Sequence, residues 1–188
     1  ADRVAGAAIE DLAPAAHRLA GAVWRASAGG VLVVGSSSVV RDLDLLPPGP
    51  APDLVVANRG GAGIAGMLSP AAGAALGAGR PATAFVGDLT FLHGANGLLI
   101  GPAEPRPDLR VVVASDDGGA IFSLLEQGAP PFADAFERIY GTPTGADLAA
   151  LSRAHGVAHE LVAVDALARA LTVAPRGLSV VEVPLDRS

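Results

Sequence analysis

Two stretches decide the fold: Ala82-Thr83-Ala84-Phe85-Val86-Gly87-Asp88-Leu89-Thr90 and Leu109-Arg110-Val111-Val112-Val113-Ala114-Ser115-Asp116-Asp117-Gly118-Gly119. Ala82 to Val86 reads as a short buried strand and Leu89 to Ile100 continues at helical spacing, so Asp88 stands where a strand ends. Leu109 to Ala114 is mostly apolar and β-branched, and Gly118-Gly119 frees the backbone to turn before a second helix starting at Ile121-Phe122-Ser123-Leu124-Leu125. Asp116 therefore also stands at a strand end. Parallel neighbouring strands would bring both carboxylates to one edge of a sheet, beside the backbone N–H groups of the helices that follow. That arrangement suits a hard divalent cation bridging protein oxygens to a phosphate, because Mg²⁺ takes octahedral oxygen ligands and is held by one or two carboxylates plus phosphate and water. Each half alone is also ordinary, since Gly-Asp ends many strands and Asp-Asp-Gly-Gly is a common turn. Both together, each behind a strand, point to a ligand site.

The bulk numbers agree with one α/β domain. The chain has 188 residues, enough for one substantial core and too few for two comfortable ones. It is 51% hydrophobic, and runs such as Val31-Leu32-Val33-Val34 lack polar alternation, as strands buried on both faces do. The expectation is a doubly wound, largely parallel six-stranded sheet with helices on both faces. A net charge of −6 argues against a nucleic-acid partner, which requires a basic surface. The absence of cysteine removes disulfides, thiolate metal sites and thiol catalysis. No run approaches eighteen apolar residues and no basic-then-apolar leader opens the chain, so no membrane span and a cytoplasmic location are expected. The start at Ala1-Asp2-Arg3 without Met suggests a piece of something longer.

Residues 1–28 read as a helical lead-in, interrupted or kinked at Pro14, and 29–188 as the diphosphate- and cation-binding domain. Trp24 reads as core or interface packing. After the first strand, Gly35-Ser36-Ser37-Ser38 either caps a helix or offers donors to an anion. Leu54-Val55-Val56-Ala57 is the second strand. It leads into the glycine-dense Asn58-Arg59-Gly60-Gly61-Ala62-Gly63-Ile64, which permits close approach of backbone to ligand but is not a dinucleotide fingerprint. Between Gln127 and Thr144 the prolines and glycines predict a loop-rich crossover with one short helix, a segment of the kind that forms mobile lids. A helix follows over 144–155, capped by Thr144 or Asp147, with Leu148, Leu151 and Ala154 inward. Glu160 to Ala163 reads as a strand, Asp165 to Leu171 as a helix and Leu178 to Val183 as the last strand.

Gly87-Asp88, followed twenty-eight positions later by Asp116 in a polar turn, resembles the thiamine-diphosphate-binding motif. Asn58-Arg59-Gly60, Gly87-Asp88-Leu89-Thr90-Phe91-Leu92-His93, Gly118-Gly119-Ala120-Ile121-Phe122-Ser123-Leu124-Leu125 and Phe136-Glu137-Arg138-Ile139-Tyr140 resemble one subgroup. These are the 2-succinyl-5-enolpyruvyl-6-hydroxy-3-cyclohexene-1-carboxylate synthases of menaquinone biosynthesis, and the likeness runs from about Val31 to the C-terminus. The resemblance implies that Asp88, Asp116 and the Gly118 carbonyl hold Mg²⁺, or Mn²⁺ in its place. It implies that Ser36, Ser38, Gly87, Leu89, Thr90, Gly119, Ala120 and Ile121 meet thiamine diphosphate and that Ile64 props its bent shape. Arg59, Ile121 and Phe122 would face the substrate, Arg59 gripping a carboxylate with its planar fork. Core packing is the other reading of Ile121 and Phe122. This sequence departs from the subgroup at Asp116, where Asn is usual, and at Ala65, Leu76 and Gly94. His93 reads as an orienting group or as structural.

The implied activity is decarboxylation of 2-oxoglutarate and addition of the resulting unit to isochorismate, with the cofactor carrying the carbanion chemistry. The resemblance also implies that the activating Glu lies on a separate pyrimidine-binding domain, of the same or a partner subunit, in a homodimer or homotetramer. No catalytic residue is then expected in this chain, and the isolated domain should be inactive. Two other readings remain: another thiamine-diphosphate enzyme, acetolactate-synthase-like or a 2-oxoacid decarboxylase, and a non-catalytic assembly module using the small-residue helix Ala71 to Ala78 as an interface.

Overall fold

The structure is a computed structural model and describes residues 14–58 and 63–187. Six parallel strands form one sheet: β1 (Val31–Val34), β2 (Leu54–Ala57), β3 (Ala82–Gly87), β4 (Leu109–Ser115), β5 (Ala158–Leu161) and β6 (Leu178–Pro184), in the order β2-β1-β3-β4-β6-β5. The α-helices are α1 (Ala15–Ala26), α2 (Ser38–Asp44), α3 (Leu68–Ala78), α4 (Asp88–Gly94), α5 (Ala133–Phe136), α6 (Leu148–Ala154) and α7 (Val164–Ala170).

Side chains alternate along each strand, so a fully apolar strand supplies two cores at once. Val31, Val33, Ala84, Val86, Val111, Val113 and Val180 pack under α3, Phe91 of α4 and Leu148 of α6. Leu32, Val34, Phe85, Val112, Val181 and Val183 pack under α1, Val39 of α2 and Leu167 of α7. This is the doubly wound architecture expected, and β1, β3 and β4 are buried along almost their whole length. The second strand departs from the two-face expectation. As an edge strand β2 leaves Leu54 and Val55 about half exposed, although its sequence is as apolar as that of β1.

Several boundaries differ from the sequence reading for local reasons. Pro14 caps α1, its extended backbone preceding the first turn and its carbonyl accepting from His17 and Arg18; the helical reading of residues 1–13 lies outside the described residues. The helical pattern after Leu89 ends at Gly94 and tightens into a 3₁₀ turn over Ala95–Leu98, where Gly97 lies so close to Ser69 that a Cβ would meet the Ser69 nitrogen at 2.7 Å. The expected helix at Ile121 is likewise a 3₁₀ turn, Ala120–Leu124. The crossover contains more structure than one short helix, with two further 3₁₀ turns, α5 and a π-helical turn, Glu137–Gly141. Helix α6 starts at Leu148, with Asp147 as its cap accepting from the Ala150 N–H at 2.7 Å, and Ala154 faces outward, not inward. The fifth strand lies two residues earlier than expected and α7 one residue earlier.

The small residues of α3 serve the core. Ala71, Ala72 and Ala75 are buried against the sheet, while Gly73, Leu76, Gly77 and Ala78 on the other side of the helix are exposed. Phe91→Ala should cost about 3–5 kcal/mol by leaving a cavity in that core, whereas Leu54→Ala on the edge strand should cost about 1 kcal/mol or less. Urea unfolding of the two variants checks the contrast.

Candidate functional site

In a parallel sheet ligands bind beyond the carboxyl ends of the strands, in the crevice where the strand order reverses. Here β1 hydrogen-bonds β2 on one side and β3 on the other, and α2 and α3 lie on opposite faces, which puts that crevice between the ends of β1 and β3. Ser36 to Ser38 follow β1, Asp88 follows β3 and Asp116 follows β4. The last paired residues are Gly87 opposite Ala114 and Ser115 opposite Pro184. The topology thus brings the two halves of the sequence motif to one edge.

Asp88 is buried. Its Oδ1 accepts from the Leu89 N–H at 2.6 Å and its Oδ2 from the Gly118 N–H at 2.9 Å, so the carboxylate ties the start of α4 to the turn after β4. Burial raises its pKa above the ordinary aspartate value, against those hydrogen bonds. Burial and then the charge of Asp88 push Asp116 up to about 6. Burial and the Asp88 charge both disfavour ionised Asp116, a cost that a bound cation would offset. Among the described residues no group of three or more His, Asp or Glu side chains is gathered for a metal. The expected ligands, this pair and the Gly118 carbonyl, are oxygen donors of the kind that would fit Mg²⁺ if phosphate and water completed the octahedron.

The turn carrying Asp116 is held from outside. Asp117 and Gly118 have positive φ, 53° and 137°. A Cβ on Gly118 would lie 2.0 Å from the Gly141 carbonyl oxygen, and one on Gly119 would lie 2.4 Å from that of Tyr140. Both glycines are therefore required by the close approach of the π-helical turn, and the Gly119 N–H donates to Gly141 at 2.7 Å. Asp117 points the other way: its Oδ1 accepts from the Thr144 and Gly145 N–H groups, each at 2.9 Å, and these bonds lower its pKa. A cavity of about 290 Å³ beside the turn is lined by Asp88, Leu92, Ser115, Asp117, Thr144 and Glu182, among others.

The other expected residues divide. Ser36 and Ser38 are half-buried at the end of β1, but neither caps α2: Ser38 is its first residue and Ser37 takes the cap position with φ 85° and no side-chain bond. The Leu89 N–H is engaged by Asp88, and the Thr90 side chain is buried. Gly87 has open space where its Cβ would be. Ile64, Ala120, Ile121 and Phe122 are half-buried, and the Phe122 ring lies 5.7 Å from that of Tyr140. His93 is exposed late in α4, away from the strand ends. Arg59 lies outside the described residues. Sequence reasoning missed Ser115, Glu182 and Arg187, whose only signal is position: they flank the ends of β4 and β6.

No family model matches the chain. Curated relatives include the 2-succinyl-5-enolpyruvyl-6-hydroxy-3-cyclohexene-1-carboxylate synthases of Rhodococcus erythropolis, 55% identical over 90% of this chain and 32% of the relative, and of Saccharopolyspora erythraea, 53% identical over 86% and 29%. The synthase of a Nocardioides strain is 49% identical over 100% of this chain and 37% of its own length. The chain is a relative of these synthases. It spans about a third of their length. Among solved structures, benzoylformate decarboxylase from Polynucleobacter necessarius superposes with a TM-score of 0.72 at 24% identity, over 92% of this chain and 33% of that one. The thiamine diphosphate-dependent 4-hydroxybenzoylformate decarboxylase of Rhodococcus jostii superposes with 0.70 at 20%, over 91% and 32%. At those identities the superpositions establish the shared fold.

A raised carboxyl pKa has a definite linkage sign. Between the unfolded value of 3.8 and about 6, folded Asp116 holds a proton that the unfolded chain has released, so stability falls as pH rises through that interval. Asp116→Asn should flatten this slope and raise the cation-free melting temperature at pH 7. Thermal unfolding from pH 4 to pH 7 in the presence of a chelator measures both effects.

Proposed function

We propose that this chain is the C-terminal, diphosphate- and cation-binding domain of a thiamine-diphosphate-dependent synthase. The whole protein would decarboxylate 2-oxoglutarate and add the succinyl-semialdehyde unit to isochorismate in menaquinone biosynthesis, in the cytoplasm. The observation that carries the reading is buried Asp88 and half-buried Asp116 beyond the carboxyl ends of β3 and β4, in a chain half identical to synthases of that name. Thiamine diphosphate, when bound, supplies the carbanion chemistry.

The work of this chain is binding and orientation. Asp88 and Asp116, with the Gly118 carbonyl, would hold Mg²⁺ or Mn²⁺, and the cation would in turn offset the charge of the diphosphate. Ser36, Ser38, Gly87, Thr90, Gly119 and Ala120 border the place for the diphosphate. Leu89 contributes by orienting Asp88 through its N–H, so its amide is committed to the protein. Ile64 would support the cofactor from the side of α3. Arg59, Ile121 and Phe122 would face the substrates, with Phe122 steadied by Tyr140. Residues 29–188 would make up this unit, with α1 of the preceding lead-in packed on its sheet through Leu19, Ala20 and Val23.

The activating Glu would come from a pyrimidine-binding domain in the remaining two thirds of the protein, on the same or a partner subunit of a homodimer or homotetramer. Leu124, Leu125, Phe132 and Ile139 are exposed along the crossover beside the site, a surface suited to burial against such a domain.

Incubation of the full-length protein with Mg²⁺, thiamine diphosphate, 2-oxoglutarate and isochorismate should yield the adduct. Asp88→Ala should abolish Mg²⁺-dependent cofactor binding in calorimetric titration. Turnover of pyruvate or benzoylformate without adduct formation would favour the decarboxylase reading, and intact binding by Asp88→Ala would overturn the cation assignment.

A further inference from the structure

The turn that carries Asp116 and Gly118 is gripped by the tail that follows β6. The Leu185 N–H donates to the Ser115 carbonyl at 2.8 Å, immediately before Asp116. The Ser115 hydroxyl donates to Glu182 Oε1 at 3.1 Å, and Glu182 Oε2 lies 2.9 Å from His159 Nε2, which links the end of β4 to β6 and β5. Two residues past Leu185, the Arg187 guanidinium divides its two terminal nitrogens. Nη1 donates to the Asp117 carbonyl at 3.1 Å, and Nη2 pairs with Glu137 in the π-helical turn at 2.5 Å.

Arg187 therefore touches the backbone between the two expected ligands and the segment that packs on Gly118 and Gly119. The side chain is about three-quarters buried while Glu137 is exposed. A planar fork with donors on two sides can hold both partners at fixed separation, which a lysine ammonium cannot do from one point.

We infer that Arg187 is a positioning residue for the cation, holding the Asp116–Gly118 turn in ligating shape from outside the ligand set. This rests on the cation reading of Asp88 and Asp116. Its charge works against the cation, whereas its geometry works for it, and the two contributions predict opposite outcomes when the residue is changed. By charge alone, removing a guanidinium near two carboxylates tightens divalent-cation binding. By positioning, removing it lets Asp116 and the Gly118 carbonyl drift, and binding weakens.

The test uses full-length protein with thiamine diphosphate, titrated with Mn²⁺ and followed by the electron-paramagnetic-resonance signal of the free ion. Arg187→Gln should weaken Mn²⁺ binding by about tenfold or more, in the range typical of residues that orient metal ligands. Arg187→Lys, which keeps the charge and most of the stem, should also bind several-fold more weakly, and it carries the test if the glutamine variant fails to fold. Unfolding midpoints measured in chelator should stay near the wild-type value for the lysine variant. Mn²⁺ binding that is unchanged or tighter in the folded variants overturns the inference. A parallel Asp88→Ala titration separates the two levels: wild-type affinity in that variant would remove the cation site itself and Arg187's role with it.

Discussion

Two carboxylates, buried Asp88 and half-buried Asp116, stand beyond the ends of neighbouring strands, and the charge of the first disfavours ionisation of the second. Each follows the end of a central strand, so the parallel pairing of β3 and β4 determines that they are neighbours. Burial raises both pKa values; the Asp88 charge raises that of Asp116 further, and the Asp117 charge that of Asp88. Backbone N–H groups of Leu89 and Gly118 stabilise Asp88. Asp116 receives weaker compensation and keeps a pKa near 6. A divalent cation would convert this unfavourable arrangement into a favourable one, and a diphosphate would complete its coordination.

Holding such a site open requires support from outside it. The crossover from Ala120 to Gly145 provides that support without long helices, through 3₁₀ turns, a single turn of α-helix and a π-helical turn. Prolines and glycines keep the segment from forming regular helix, and its irregular path lets the Tyr140 and Gly141 carbonyls reach the glycine pair. Asp117 fastens the far end through Thr144 and Gly145. Glycine at 118 and 119 is thus explained by contacts within the chain.

The fold was legible because strand-length apolar runs with small-residue turns leave few alternatives, and β1, β2, β3, β4 and β6 fall where the runs fall. What periodicity could not supply was edge position: Leu54-Val55-Val56-Ala57 reads like Val31-Leu32-Val33-Val34, yet only the latter is sandwiched between two strands. Helix endings were misread where tertiary contact overrides spacing, as at Gly97 against Ser69, and where a backbone turn replaces a helix, as at Ala120. The carboxylate pair was legible because both members follow strands directly. Arg187 was not, because its partners are a carbonyl and a side chain far away in sequence. The expected helix cap at Ser36 to Ser38 failed because Ser37 adopts a left-handed φ that turns its side chain away from capping.

The most direct measurement of the central claim is anomalous diffraction from crystals of the full-length protein grown with thiamine diphosphate and Mn²⁺. The account predicts one Mn²⁺ peak bridging Asp88, Asp116 and the diphosphate of the cofactor. Cofactor bound at this edge with no Mn²⁺ between the two carboxylates, or Mn²⁺ bound at other residues, would contradict it.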